Sequence, residues 1–151
     1  MAENLAGPDK ANHFNYVQAP CNILMPELYV EATQMVEDAD GVGKNKILAA
    51  ACSDLELNLM LSQPLLQGMV ANTPLSRIAV PEITNFTARH LQLMRSIPSK
   101  SIMSVVVGMK HPKHVKANLE VISKAPMNRQ EFLDGVKPIT RTEFIEDTLQ
   151  M

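Results

Sequence analysis

Apolar and polar positions change their spacing several times along this chain, and each change predicts an element. The run FNYVQAP (14–20) mixes aromatic and β-branched residues and stops at Pro20, which predicts a strand. Asn22 to Met25 continues it irregularly. Residues 27–42 show only weak periodicity and end in the loop signal Asp40-Gly41-Val42-Gly43. Residues 44–54 predict a helix, with Ile47, Leu48, Ala51 and Leu55 along one stripe. The short apolar run LNLMLS (57–62), closed by Pro64, predicts a buried strand. Residues 63–83 are rich in Pro, Gly, Asn and Ser and predict a long loop, of the kind that is often functional. Thr84 or Asn85 caps a helix over 86–96, with Phe86, Leu91 and Met94 facing inward. Residues 102–107 form the best strand pattern of the chain, with Gly108 at its carboxyl end. Pro112 then opens a helix that runs to about Ser123, with Val115, Leu119 and Ile122 inward. Short tail helices follow near 128–135 and 141–149, the second with a capping box at Thr140-Arg141-Thr142-Glu143.

Strand, helix, strand, helix, strand, helix and a helical tail is the order of an α/β fold with parallel strands. Three such strands are too few for a doubly wound sheet or a closed barrel of their own. The 151 residues suit one domain or a piece of a larger one, and 46% hydrophobic content is enough for a core. Lys and Arg number 14 against 16 Asp and Glu, a net charge of −2 that advertises no nucleic-acid surface. Trp is absent and aromatics are 4%, which leaves little for base stacking. No apolar run reaches the roughly 18–20 residues of a membrane-spanning helix. The polar N-terminus, 1–12, reads as a frayed lead-in and not as a signal or transit peptide. Cys21 and Cys52 make no disulfide scaffold and no C-x-x-C pair, so they read as reduced thiols of a cytoplasmic protein.

The chemistry concentrates in the last strand–loop–helix, VVVGMKHPKHVKANL (105–119). Lys110, Lys113, His114 and Lys116 crowd a helix start, where cations are intrinsically unfavourable unless an anion offsets them. Lys110, His114 and Asn118 recur every four residues, so a phosphate held by Lys110 and His114, with Asn118 reaching a base, fits one face. A solvated basic helix start fits the same residues equally well. His111 and His114 find no third metal ligand nearby. Gln18, Ser62 and Gln63 occupy strand ends, where ligands of parallel α/β folds bind, although ordinary loop hydrogen bonding suits them too. No nucleophile–base pair, no G-x-x-x-x-G-K loop and no G-x-G-x-x-G is present, and no catalytic residue is assigned.

Taken together, three segments resemble the aldo/keto reductases, NADPH-dependent carbonyl reductases that fold as (β/α)8 barrels. FNYVQAPCNIL (14–24) is similar to the family's sixth strand, SQPLLQG (62–68) to its seventh, and VVVGMKHPKHVKANL (105–119) to its eighth strand and helix. The resemblance covers roughly 13–123 and leaves 124–151 as a helical tail. It implies a partial (β/α)8 barrel made of the last three βα units. It implies NADP as cofactor, with Gln18 at the nicotinamide, Ser62 and Gln63 in place of an aromatic and a Ser, and Leu65 after the pyrophosphate loop. Gly108 would also be a cofactor-binding residue, and Lys110, in place of the usual Arg, would lie near the 2′-phosphate. His114 stands where the family has Gln or Arg, and Asn118 matches the adenine-contacting Asn. Lys lacks the bidentate fork of Arg, and the stacking aromatic is lost, so weaker cofactor binding is expected. The family's catalytic Asp, Tyr, Lys and His belong to earlier strands that nothing here matches. The expectation is therefore an NADP-binding part, inactive alone, that needs a missing N-terminal half-barrel or self-association through its open sheet edges. The alternative is a non-catalytic binding or regulatory partner that keeps the nucleotide segment.

Overall fold

The computed structural model describes residues 13–37, 40–70, 80 and 83–136. Its elements in chain order are β1 (Tyr16–Pro20), α1 (Glu27–Val30), β2 (Gln34–Glu37), β3 (Gly43–Lys46), α2 (Leu48–Asp54) and β4 (Asn58–Ser62). A 3-10 turn (Leu66–Gly68), α3 (Phe86–Arg95), β5 (Ile102–Val105), α4 (Pro112–Asn118), a second 3-10 turn (Leu119–Ser123) and α5 (Arg129–Val136) complete it. The lead-in 1–12, the capping box at 140–143 and the expected helix 141–149 lie outside the described residues, as do 71–79.

β1, β4 and β5 form one parallel sheet in the order β1-β4-β5. The α/β expectation holds. The sheet is open, with β1 and β5 as its edges among the described residues. β4 sits between them because it carries the strongest apolar alternation. Leu59 and Leu61 are fully buried and stand opposite Val17 and Ala19 of β1. This face packs on Ala49 and Cys52 of α2 and on Leu93 and Met94 of α3. Each fully buried Leu or Met contributes about 1.5–3 kcal/mol of apolar transfer. The opposite face of β1 is open: Tyr16 and Gln18 are exposed.

β2 and β3 form an antiparallel ribbon that the weak periodicity of 27–42 did not announce. Val36 is its one buried residue, so no alternation of apolar side chains marks it. The pairing of β3 with β2 also corrects the expected helix over 44–54, which starts at Leu48. Leu55, placed on the inner stripe, is exposed because α2 ends at Asp54. There Glu56 takes a left-handed conformation (φ 54°), and the Leu57 N–H donates to the Cys52 carbonyl at 2.8 Å.

α3 is capped as expected: Asn85 Oδ1 accepts from the Ala88 N–H at 3.1 Å. Leu91 and Met94 are buried, but Phe86 is exposed and lies under the Arg89 guanidinium. A second correction concerns Val115, Leu119 and Ile122, all of which face outward. The expected stripe assumed one continuous α-helix. The chain tightens to 3-10 geometry after Asn118, and the three-residue period turns Asn118 and Val121 inward. Arg95 fastens this region, its guanidinium donating to the Val121 and Lys124 carbonyls at 2.8 and 3.2 Å.

His90 is wholly buried on α3, with neither ring nitrogen hydrogen-bonded among the described residues. Burial lowers its pKa to about 4, and the Val70 backbone offsets this only in part. The fold therefore excludes a proton that the unfolded chain binds below its ordinary value of 6.5. Stability should fall as pH drops from about 6.5 to 4, by on the order of 2–3 kcal/mol, and level off below. Urea unfolding at a series of pH values, with His90→Leu flattening the slope, checks this. Replacing Glu56 by Gly should stabilise the protein by about 0.5–1 kcal/mol, read from the urea midpoint, because Gly adopts positive φ without penalty.

Candidate functional site

Parallel pairing brings the carboxyl ends of β4 and β5 side by side, and the chain leaves β4 in an unusual conformation. After Ser62, Gln63, Leu66 and Gln67 all adopt positive φ (53°, 44° and 55°), and Gly68 follows at 93°. Each left-handed non-glycine residue costs roughly 1–3 kcal/mol and persists only where surrounding contacts hold it. Here the holding residue is Asn22, fully buried in the turn after β1. Its Nδ2 donates to the Gln63 carbonyl at 3.1 Å, and its Oδ1 accepts from the Leu24 N–H at 2.9 Å. The Cys21 N–H donates to the Ser62 carbonyl at 2.9 Å. On the other side, the Val106 N–H still donates to Leu61 past the end of β5, and the chain runs extended to the start of α4.

Between these two loops lies a cleft of about 620 Å³, within the range of small-molecule sites. Its floor is Val106, Val107 and Gly108; its walls are 63–68 on one side and Lys110, His114, Ala117 and Asn118 on the other, with Asn85 and Thr87 at one end. The structure thus brings together Gln63, Leu65, Gly108, Lys110, His114 and Asn118. Lys110 precedes α4 instead of lying on it, yet still lines the cleft with His114 and Asn118. Lys110 and His114 are exposed and Asn118 is buried, so the cleft grades from a cationic mouth to a polar, enclosed end.

Two expected residues fall elsewhere. Gln18 is the third of the five residues of β1, not at its end, and lies on the open sheet face. Ser62 ends β4 as expected but does not line the cleft; its carbonyl is taken by Cys21. Three positioning residues were missed. Asn22 was read as an irregular strand extension, Asn85 only as a cap, and Thr87 not at all; no local pattern marks a contact across many residues. The His111 and His114 rings meet edge to face at 5.4 Å between centroids. Among the described residues no three metal-ligating side chains cluster.

Neither thiol is an activated nucleophile. Burial, with a smaller contribution from Glu27, pushes Cys21 up to about 12, and burial raises Cys52 as well. Tyr29 is wholly buried, and its hydroxyl, raised first by burial, has no hydrogen-bond partner among the described residues. No described helix is long and apolar enough to cross a membrane. Compared with known proteins, the chain matches no family model, no curated protein and no solved structure.

Removing the Asn22 side chain frees the Gln63 loop and takes the partner from the half-buried Gln63 carbonyl and Leu24 N–H. Asn22→Ala should destabilise the protein by about 1–3 kcal/mol. Hydrogen exchange of the 63–68 amides should accelerate beyond the rest of the chain; uniform acceleration would show that Asn22 supports the whole core and not this loop.

Proposed function

We propose that this chain is the NADP-binding portion of an aldo/keto reductase-like oxidoreductase, its sheet an arc of a (β/α)8 barrel. The observation that carries the reading is the cleft itself. Gln63, Leu65, Gly108, Lys110, His114 and Asn118 come from two separate segments, and they line one hollow at the carboxyl end of a parallel sheet. Two further features support it. The parallel strands neighbour one another in chain order, joined by crossovers that carry α2 and α3, as an arc of a barrel requires, and the open sheet face carrying Tyr16 and Gln18 would become the barrel interior.

The cleft suits the adenosine end of NADP. Lys110 would supply the positive charge for a 2′-phosphate, His114 a ring nitrogen beside it, and Asn118 an amide for a base. The strained loop 63–68 would offer backbone groups to a pyrophosphate. When bound, NADP would supply the hydride for carbonyl reduction. This chain's residues bind and orient; they do not provide the proton. The described residues bring no acid–base pair to the cleft, so reduction awaits a polypeptide that carries the catalytic acid. That partner would pair with the edges of β1 and β5, where an apolar hollow of about 410 Å³ runs along β5 beside Leu119 and Ile122.

NADP should bind more tightly than NAD by calorimetric titration, and more weakly at high salt because Lys110 is exposed. Lys110→Glu should abolish the preference, and an unchanged preference would place the phosphate elsewhere. The chain alone should not oxidise NADPH in the presence of an aldehyde, and sustained turnover by purified protein would contradict the division of roles.

A further inference from the structure

The two edges of the open sheet carry unpaired backbone groups and opposite charge. The Val106 N–H donates to the Leu61 carbonyl at 2.7 Å. Successive residues of a strand turn their N–H and C=O groups to opposite edges, so Val105 presents both to the free side of β5. The run IMSVVV (102–107) holds no Pro and no charge, and Met103 within it is 56% exposed. Sheets normally protect such an edge with a charge, a Pro or a covering segment. On β1, the Asn15 carbonyl accepts from the Asn58 N–H and the Cys21 N–H donates to Ser62. Tyr16, Gln18 and Pro20 therefore face the free edge, the first two with a donor and an acceptor each and Pro20 with its carbonyl alone.

The net charge of −2 conceals a division between the two sides. Around β5, Lys100, Lys110, Lys113 and Lys116 are all exposed. Between Arg95 and Lys124 the one acid is Glu120, and it is engaged, accepting from the backbone N–H groups of Thr84 (2.9 Å) and Asn85 (3.3 Å). On the β1 side, residues 13–37 contain exposed Glu27, Glu31 and Glu37 and neither Lys nor Arg.

We propose that the free edge of β5 binds the β1 edge of a second copy of this chain, head to tail, the lysine-bearing side of one copy meeting the glutamate-bearing side of the next. It needs only the open sheet and no bound nucleotide, and a polypeptide carrying the catalytic acid would compete for the same edges. The helices α2 and α3 pack on one face of the sheet. With that face shared, a copy that offers β1 to β5 runs parallel and continues the sheet, whereas one that offers β5 runs antiparallel and sets lysines against lysines. An anionic lipid surface would match the lysines but leave the Val105 groups unpaired. The neighbour also covers the apolar hollow along β5, whose rim carries Leu119 and Ile122, 50% and 69% exposed. Such a contact leaves one edge of each copy free, so assembly continues past the dimer.

Sedimentation velocity of the full chain over a concentration series tests this. The average mass of the native protein should rise beyond that of a dimer. Raising salt from about 0.1 to 1 M shortens the screening length from about 10 to 3 Å and should weaken association by about tenfold. Met103→Glu on β5 and Gln18→Pro on β1 should each remain monomeric alone. Their equimolar mixture should form a dimer and stop there, because one sound edge of each remains. Should circular dichroism show Gln18→Pro unfolded, the double variant Glu27→Lys, Glu31→Lys takes its place. A native chain that stays monomeric at millimolar concentration overturns the inference, and its pelleting with anionic vesicles would then give the edge to lipid. A mixture of folded variants that stays monomeric overturns it too. Self-association of Gln18→Pro alone overturns it in favour of β5 pairing with β5.

Discussion

The burial of Leu59 and Leu61 on the middle strand is the interaction on which the rest depends. Among the described residues β4 is the only strand with neighbours on both sides, and these two side chains share one core cluster with residues of α2 and α3. Because all three strands run parallel, anchoring β4 also brings the loops that leave β4 and β5 to the same end of the sheet. The cleft follows from that constraint. Weakening β4 would separate Gln63 from Lys110 before it changed either residue's surroundings directly.

The contacts around the cleft then divide into two sets. Asn22 holds the loop after β4, and the Asn85–Thr87–Asn118 chain with Glu120 holds the end of α4 against α3. Both sets use buried or half-buried amides and hydroxyls with their partners satisfied. Such networks specify one geometry because an unpaired member would cost more than the bond contributes. The exposed side chains are different: Lys110 and His114 would attract a ligand but do not shape the cleft. The cleft is thus rigid where a base would sit and adaptable where a phosphate would sit.

Much of this was legible in the sequence. β1, β4, β5 and α3 lie within a few residues of their expected places, because aromatic and β-branched runs closed by Pro20 and Pro64, and a cap at Asn85, are local signals. The ribbon of β2 and β3 was not legible, since its strands are solvated and only Val36 turns inward. The inner face of α4 was misread because a shift to 3-10 geometry after Asn118 is invisible to a four-and-three spacing rule. Six of the eight expected site residues converge on the cleft because they follow strands whose ends were read correctly. Gln18 lies away from the cleft because it sits mid-strand, two residues before the end at Pro20, with its side chain on the open face of the sheet. Asn22 and Thr87 were missed because their partners are distant in sequence, and only the folded chain shows which amide meets which hydroxyl.

The central claim is that the loops after β4 and β5 form one nucleotide site. It is tested most directly by adding adenosine 2′,5′-bisphosphate to isotopically labelled protein and mapping the backbone amide shifts. The account predicts saturable changes confined to 63–68, 106–110 and 114–118, with the other edge of the sheet unmoved. Changes centred on the ribbon or on α1, or no saturable change at millimolar ligand, would contradict it.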